Sequence, residues 1–436
     1  MDRRLFLTTA GLGVGGGLLT ACGGGADLAG ADPSQMPVAS QLASLPVKAR
    51  VIVVGGGMAG ATVAKYLRLW GDAVSVTLID RSSSYASNIM SSLVLTGQRS
   101  MSSLTYKYDT LRSKYGITTV FGEVKSIDPI TMKVTMASGV VLSADRIVIA
   151  PGIDFDTVAG LGASDLMPHA WKAGAQTTLL AKQLAALPSG GRVLLTIPKT
   201  PYRCPPGPYE RACLMADWLR VNKPGAKLMV LDANADIVVE KDNFMNAFLG
   251  VHGNVIEYVP NAEVTQADPA TMTVTTTAGS LRGDVINLIP RQKAGAIISM
   301  LGLNNATEGR FAGVNNLTYA STVPGFDKVH IIGDASATLQ PKAGHIANQE
   351  AKVCADAISR ILTGQAPDPA PVTNSACFST ITMTQASWLS AGYQYDPTSA
   401  AMKVVPASFG ASAGWSSNNF DQMNNWFKSL MLDSFA

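Results

Sequence analysis

From about residue 50 onward, short apolar runs recur along the chain, each closing on a glycine or a carboxylate and several leading into a helix-period stretch. The first, Val51 to Val54, closes on Gly55-x-Gly57-x-x-Gly60 and runs into an Ala/Val/Leu-rich helical pattern. This predicts strand, tight turn and helix. The first glycine allows the turn, the second lets backbone approach a pyrophosphate, and the third lets helix and strand pack closely, with free N–H groups at the helix start facing phosphate. A second strand, Val74–Asp80, ends in a carboxylate 25 residues beyond Gly55, placed to accept from a ribose hydroxyl.

Downstream come a serine-rich loop from Ser82 to Ser92, a helix over Tyr108–Ile117, and a strand pair over 118–129 and 133–153 in which β-branched and polar residues alternate. Arg146–Ile153 reads as a buried strand ending in the small-residue turn Ala150-Pro151-Gly152, and Lys328–Ser336 has the same shape, ending in Gly333-Asp334. The glycine of that last motif permits close approach, and its carboxylate suits the ribityl or pyrophosphate region of a flavin. The three motifs in this order predict FAD, not NAD, at the first site. Its contacts are expected from Gly55, Gly57, Gly60, Asp80, Arg81, Val124, Ala150, Pro151, Gly152, Gly333 and Asp334.

Between these motifs lies a second α/β unit: strand Gly191–Pro198, helix Tyr209–Asn222, and strand Ala226–Asn234 with Asp232 near its tip. Its strand-to-helix turn, 199–212, holds four prolines and only one glycine, Gly207. Prolines remove N–H donors and stiffen a loop, the opposite of what a phosphate cradle needs. The unit is therefore expected to keep the fold without binding a nicotinamide dinucleotide.

The first fifty residues read as an address. Arg3-Arg4 and Leu5-Phe6-Leu7 precede an apolar, Gly-rich run too short to span a bilayer, as in a twin-arginine export signal. Leu19-Thr20-Ala21-Cys22 resembles a lipobox, in which Cys22 is lipidated after cleavage, and the stretch from Gly23 to about Pro46 has the composition of a flexible tether. The expected location is periplasmic, with the membrane touched only through a lipid on Cys22.

The net charge of +3 suggests no nucleic-acid partner. Of five cysteines, Cys22 belongs to the address, leaving Cys204, Cys213, Cys354 and Cys377 in an oxidising compartment. No C-x-x-C-H haem site and no Cys/His cluster with metal-ligand spacing occurs.

At "YRCPPGPYERA" (residues 202–212) the chain resembles the flavoprotein subunit of flavocytochrome c sulfide dehydrogenase, a relative of sulfide:quinone oxidoreductases with the glutathione-reductase-type fold. "VIAPGID", "PHAWKAG", "VINLIP", "HIIGDA", "ANQEAKV", "NSACFSTI" and the ending "NNWFKSLMLDSFA" carry the likeness from about Arg50 to the C-terminus. The resemblance implies an α/β fold with two Rossmann-like domains, the FAD site kept and the NAD site degenerate, plus a C-terminal flavin-covering α+β domain. The expected limits are 1–21 for the signal, 22–48 for the tether, 49–165 with 285–365 for the FAD domain, 166–284 for the second domain and 366–436 for the third.

The resemblance also implies a small reduced donor, with sulfide or another reduced sulfur compound foremost, and a separate c-type cytochrome as acceptor. Cys204 matches the first cysteine of the family's redox pair and is the candidate catalytic residue. The second is expected directly after Gly-Asp-Ala, where this chain has Ser336, and the flavin-linking cysteine falls near Asn88, so FAD is expected to be non-covalent. Cys377 falls where the family has a cysteine of structural use. A serine cannot close a disulfide, so sulfide turnover is expected to be weak. Oxidation of a non-sulfur donor and a non-catalytic flavin-bearing role stand as alternatives.

Overall fold

A computed structural model describes residues 47–436. The segments expected to form an export signal and tether, with Cys22, fall within residues 1–46 and lie outside the described residues. The first apolar runs form a five-stranded parallel sheet in the order Val329–Ile331, Arg146–Ile149, Ala49–Val54, Val74–Asp80, Thr118–Phe121. The interiors of its central strands, Val51–Val54 and Ile147–Ile149, are apolar because both faces are covered. The Met58–Trp70 helix returns from the glycine turn over one face, and the Gly344–Leu362 helix packs along it, with Asn348 donating to Thr62 Oγ1 at 3.2 Å.

The strand pair expected over 118–153 is more finely divided. Thr118–Phe121 joins the parallel sheet, a separate antiparallel sheet is built from Val124–Asp128, Lys133–Met136 and Val141–Ser143, and Arg146–Ile149 returns to the centre. The second unit repeats this plan. Its parallel sheet runs Ile256–Val259, Lys227–Asp232, Arg192–Ile197, Val285–Asn287, and its antiparallel outrigger is Val264–Asp268, Thr273–Thr276, Gly279–Arg282.

This corrects one expected boundary. Val285–Asn287, assigned from sequence to the returning FAD domain, pairs in parallel with Val193–Leu195 and completes the second sheet. The chain re-enters the first domain only after it, through Gln292–Ala294, which pairs with Ile153–Phe155.

The third unit is an antiparallel sheet of Val372–Thr380, Ala386–Asp396 and Ala401–Val404, followed by the Ser417–Phe435 helix. Ser416 Oγ caps that helix by accepting from Asn419 N at 3.2 Å. Met423, Phe427, Leu430, Met431 and Phe435, at helical spacing, are buried. Phe435 stacks on Tyr85 with centroids 5.2 Å apart, and Asp433 pairs with the buried Lys352 at 2.8 Å, tying this helix to the first domain. Among the described residues no helix is long and apolar enough to cross a membrane.

Candidate functional site

The glycine turn builds one end of a cleft of ≈ 480 Å³ that runs between the three units. Gly55 has φ +103°, and a Cβ there would stand 2.3 Å from Ala150 O, which is why the first and middle motifs meet. A Cβ on Gly60 would stand 1.7 Å from Gly55 O, so this glycine serves helix–strand packing and does not line the cleft. At Gly57 the nearest protein atom is Tyr85 Cε2 at 3.6 Å, leaving the backbone open to the cleft. Asp80 accepts from Gly56 N at 2.6 Å and from Ser82 N at 2.8 Å, so one carboxylate fixes both the turn and its own loop.

Of the residues singled out from sequence, Gly55, Gly57, Asp80, Arg81, Val124, Ala150, Pro151, Gly152, Cys204, Gly333 and Asp334 line this cleft. Asp334 Oδ1 is buried without a hydrogen-bond partner, as are Nε1 of Trp171 and Nε1 of Trp426, both also in the lining. Burial pushes the Asp334 carboxyl up, against the pull of Arg203 and Lys342. A phosphate-accessible turn at one end and an unpaired carboxylate oxygen farther along fit the pyrophosphate and ribityl parts of FAD. Residues 58–70 supply the helix start behind the turn.

Beyond Asp334 the cleft is walled by the 198–206 turn and the third unit. Cys204 sits at φ +56°, its N–H donating to Lys342 O at 2.6 Å and its carbonyl accepting from Gly207 N at 2.8 Å. These bonds hold an otherwise disfavoured backbone. Cys377, on the Val372–Thr380 strand, lines the same cleft and is among the groups that raise the Cys204 thiol. Burial is the larger cause, holding Cys204 well above the ordinary thiol range and pushing Cys377 up to about 12. Both thiols are free. Cys213 and Cys354 are fully buried and lie outside the lining.

Here the structure departs from the sequence expectation. Ser336 does not face Cys204. It is 1% exposed, lies outside the cleft lining, and donates its hydroxyl to Gly333 O at 2.8 Å, with Glu350 Oε2 at 3.3 Å. Cys377, read from sequence as structural, is the second thiol of the cleft. The Ser336 hydroxyl is thus engaged by Gly333 and Glu350 and takes no part in the cleft lining. Asn88 does line the cleft and is held by Ala173 N donating to its Oδ1 at 2.8 Å, and among the described residues the cysteines in the lining are Cys204 and Cys377.

Further residues in the lining were not anticipated. Glu210, six positions after Cys204 in the same motif, is raised by burial from 4.5 to about 7 and accepts from Thr380 Oγ1 at 3.0 Å. Arg211 is 1% exposed, stacks over Trp171 at 4.6 Å and donates to Ala170 O at 2.9 Å and Asn287 Oδ1 at 3.0 Å. His345 accepts from Ala376 N on Nδ1 at 3.0 Å, which leaves the proton of the neutral ring on Nε2. Burial holds this ring at about 4, hence neutral. The motif held a signal for Glu210, since Cys204 and Glu210 flank one turn and the start of one helix. No spacing marks His345 or Cys377. Among the described residues no group of His, Cys, Asp and Glu could hold a metal ion.

Three family models match consecutive parts of the chain: pyridine nucleotide-disulphide oxidoreductase over residues 49–181, the central domain of the sulfide dehydrogenase (flavocytochrome c) flavoprotein chain over 177–290, and the flavocytochrome c sulphide dehydrogenase flavin-binding domain over 369–435. A flavoprotein chain of sulfide dehydrogenase (flavocytochrome c) from Chlorobaculum thiosulfatiphilum is 58% identical over 31 residues, 7% of this chain. The match spans 65% of that curated relative's length. The sulfide:quinone oxidoreductase of Aquifex aeolicus superposes with a TM-score of 0.73 at 16% identity, covering 88% of this chain and 91% of the other. An NAD-dependent persulfide reductase from A. fulgidus gives 0.58 at 14% identity, covering 87% and 77%. These two likenesses carry the fold. The flavin-binding and flavoprotein-chain matches make FAD the cofactor of the cleft.

Proposed function

Because the chain belongs to the flavocytochrome c sulfide dehydrogenase flavoprotein family, we propose that it is an exported FAD-dependent oxidoreductase that takes electrons from sulfide or another reduced sulfur compound and passes them to a c-type cytochrome. The observation that carries the reading is the presence of two thiols, Cys204 and Cys377, in the cleft that fits FAD.

Bound FAD supplies a two-electron acceptor that can release electrons singly. The chain's own part is sulfur exchange and proton handling. With Cys204 and Cys377 joined as a disulfide, hydrosulfide attacks one sulfur, a new S–S bond forms, the cysteine–cysteine bond breaks, and the other cysteine leaves as a thiolate. The proton left on the resulting persulfide has Glu210 as its nearby acceptor, a carboxyl whose charge is felt at both thiols and which is partly ionised near neutral pH. Desolvation in the cleft favours the protonated thiol over the thiolate once the disulfide has been opened.

The cytochrome partner follows from the two-chain nature of the family. Export and lipid attachment rest on Arg3-Arg4 and Cys22, and in this reading Cys22→Ser moves the protein from the membrane fraction to the soluble one. Sulfide-dependent reduction of a c-type cytochrome, followed at its α-band, tests the activity. Steady reduction that needs both enzyme and sulfide is expected. An inert mixture, with FAD bound and the acceptor competent, would contradict the reading.

A further inference from the structure

The two Rossmann units end corresponding strands in a carboxylate, Asp80 and Asp232, and leave them unequally open to a ligand. Asp80 borders the open cleft. Asp232 is 0% exposed and has its oxygens filled by the protein itself. Its Oδ2 accepts from Tyr209 Oη at 2.7 Å and from Tyr258 Oη at 2.9 Å, and its Oδ1 accepts from Asn234 N at 2.9 Å and Asn234 Nδ2 at 2.7 Å. No acceptor site is left for a ribose hydroxyl.

Two of the cage's donors, Asn234 and Tyr209, are tied to the turn that carries Cys204. Asn234 Oδ1 accepts from Thr200 N at 3.1 Å, and Asn234 Nδ2 donates to Pro198 O at 3.1 Å, so Asp232 orients the side chain that fixes the turn's entry. Tyr209 stands two residues into the helix that receives the turn's exit. Tyr202, within the turn, closes on Pro205 O at 3.1 Å. The proline-rich stretch that abolished a phosphate cradle is thus clamped at both ends by the carboxylate that such a cradle would have used.

We propose that Asp232, acting through Asn234 and Tyr209, is a positioning residue for Cys204, a nucleotide-site carboxylate re-employed to hold the reactive turn in the left-handed conformation that puts the thiol in the cleft. This rests on the proposed thiol role of Cys204, but its test reads thiol reactivity and not turnover, so the two can fail separately.

The FAD-loaded protein and its Asn234→Ala variant, each first reduced under anaerobic conditions so that Cys204 and Cys377 are free thiols, are alkylated with iodoacetamide across a pH series, and the modified peptides are quantified by mass spectrometry. The charged and titratable groups that face Cys204 are Cys377, Glu210, Arg203, Arg211 and Tyr202, all unchanged by the substitution. Freed from its clamp, the turn admits water, and the burial that raises the thiol is relieved. Cys204 is expected to react at least roughly fivefold faster at fixed pH, with its reactivity midpoint roughly one pH unit lower, while Cys377 stays within about twofold of its original rate. An unchanged Cys204 rate and midpoint, or an equal rise at both cysteines, overturns the proposal. If Asn234→Ala does not fold, Tyr209→Phe, which removes the bond between Asp232 and the helix that receives the turn's exit, is read by the same criteria.

Discussion

The glycine turn permits a prediction in which two neighbouring substitutions of the same kind have opposite consequences. A Cβ at Gly60 would lie 1.7 Å from Gly55 O, a backbone atom that cannot step aside without opening the turn. Overpacking of this kind costs about 1–3 kcal/mol, and an overlap with backbone belongs at the upper end, ~3 kcal/mol. A chain of this size changes its melting temperature by roughly 1 °C per kcal/mol, so Gly60→Ala should melt roughly 3–4 °C lower, with or without FAD. A Cβ at Gly57 meets nothing nearer than 3.6 Å and sits on a residue with φ −72°. Gly57→Ala should therefore leave the flavin-free protein as stable as the original. It projects into the space where the pyrophosphate must approach, and losing one charge-assisted hydrogen bond, about 1.5–3 kcal/mol, lowers FAD affinity roughly ten- to a hundredfold. The assays are melting of the deflavinated proteins and titration of each with FAD, followed by flavin fluorescence. A destabilised Gly57→Ala apoprotein, or one with unaltered FAD affinity, would refute the assignment of the open side of this turn to the cofactor.

NADH and NADPH should not reduce the flavin in anaerobic stopped flow, because the second unit offers a proline-filled turn and a carboxylate, Asp232, already caged by tyrosines; rapid bleaching by either would contradict this. Acid precipitation should release all the flavin, since the cysteines of the lining are Cys204 and Cys377 and Asn88 is engaged with Ala173; yellow colour left on the pellet would show a covalent link. Burial raises Glu210 from 4.5 to about 7, so between those values the folded chain keeps a proton that the unfolded chain has lost. Stability from this group then falls as pH rises through that window, and Glu210→Gln should narrow the difference in urea midpoint between pH 5 and pH 8, an unchanged difference speaking against a protonated buried carboxyl.

Local pattern made the first domain legible. Apolar runs with period breaks at Gly55, Gly152 and Gly333 mark strand ends that meet at one cleft, and each glycine there has a positive φ. The boundary at Val285–Asn287 was not legible, because a three-residue strand with only two apolar positions fits either parallel sheet and only the pairing with Val193–Leu195 decides. The second cysteine of the cleft was hidden for a related reason. Ser336 is near the flavin motif in sequence, yet the tight turn at Gly333–Ala335 directs its hydroxyl toward Glu350. Cys377 is 173 positions from Cys204 and reaches the cleft only because the third unit folds over it. Glu210 and Asp232 show the same limit, since burial and tyrosine contacts, not spacing, set what each carboxyl does.

The central claim, that two cleft thiols deliver electrons from a reduced sulfur donor to FAD, is tested most directly by anaerobic mixing of the oxidised holoprotein with sulfide while flavin absorbance is followed. The flavin should bleach in a single turnover in the native protein, and Cys204→Ser and Cys377→Ser should each keep full FAD yet lose most of that rate, whereas Ser336→Ala should not. A flavin that stays oxidised in the native protein, or that bleaches equally fast without either thiol, would contradict the account.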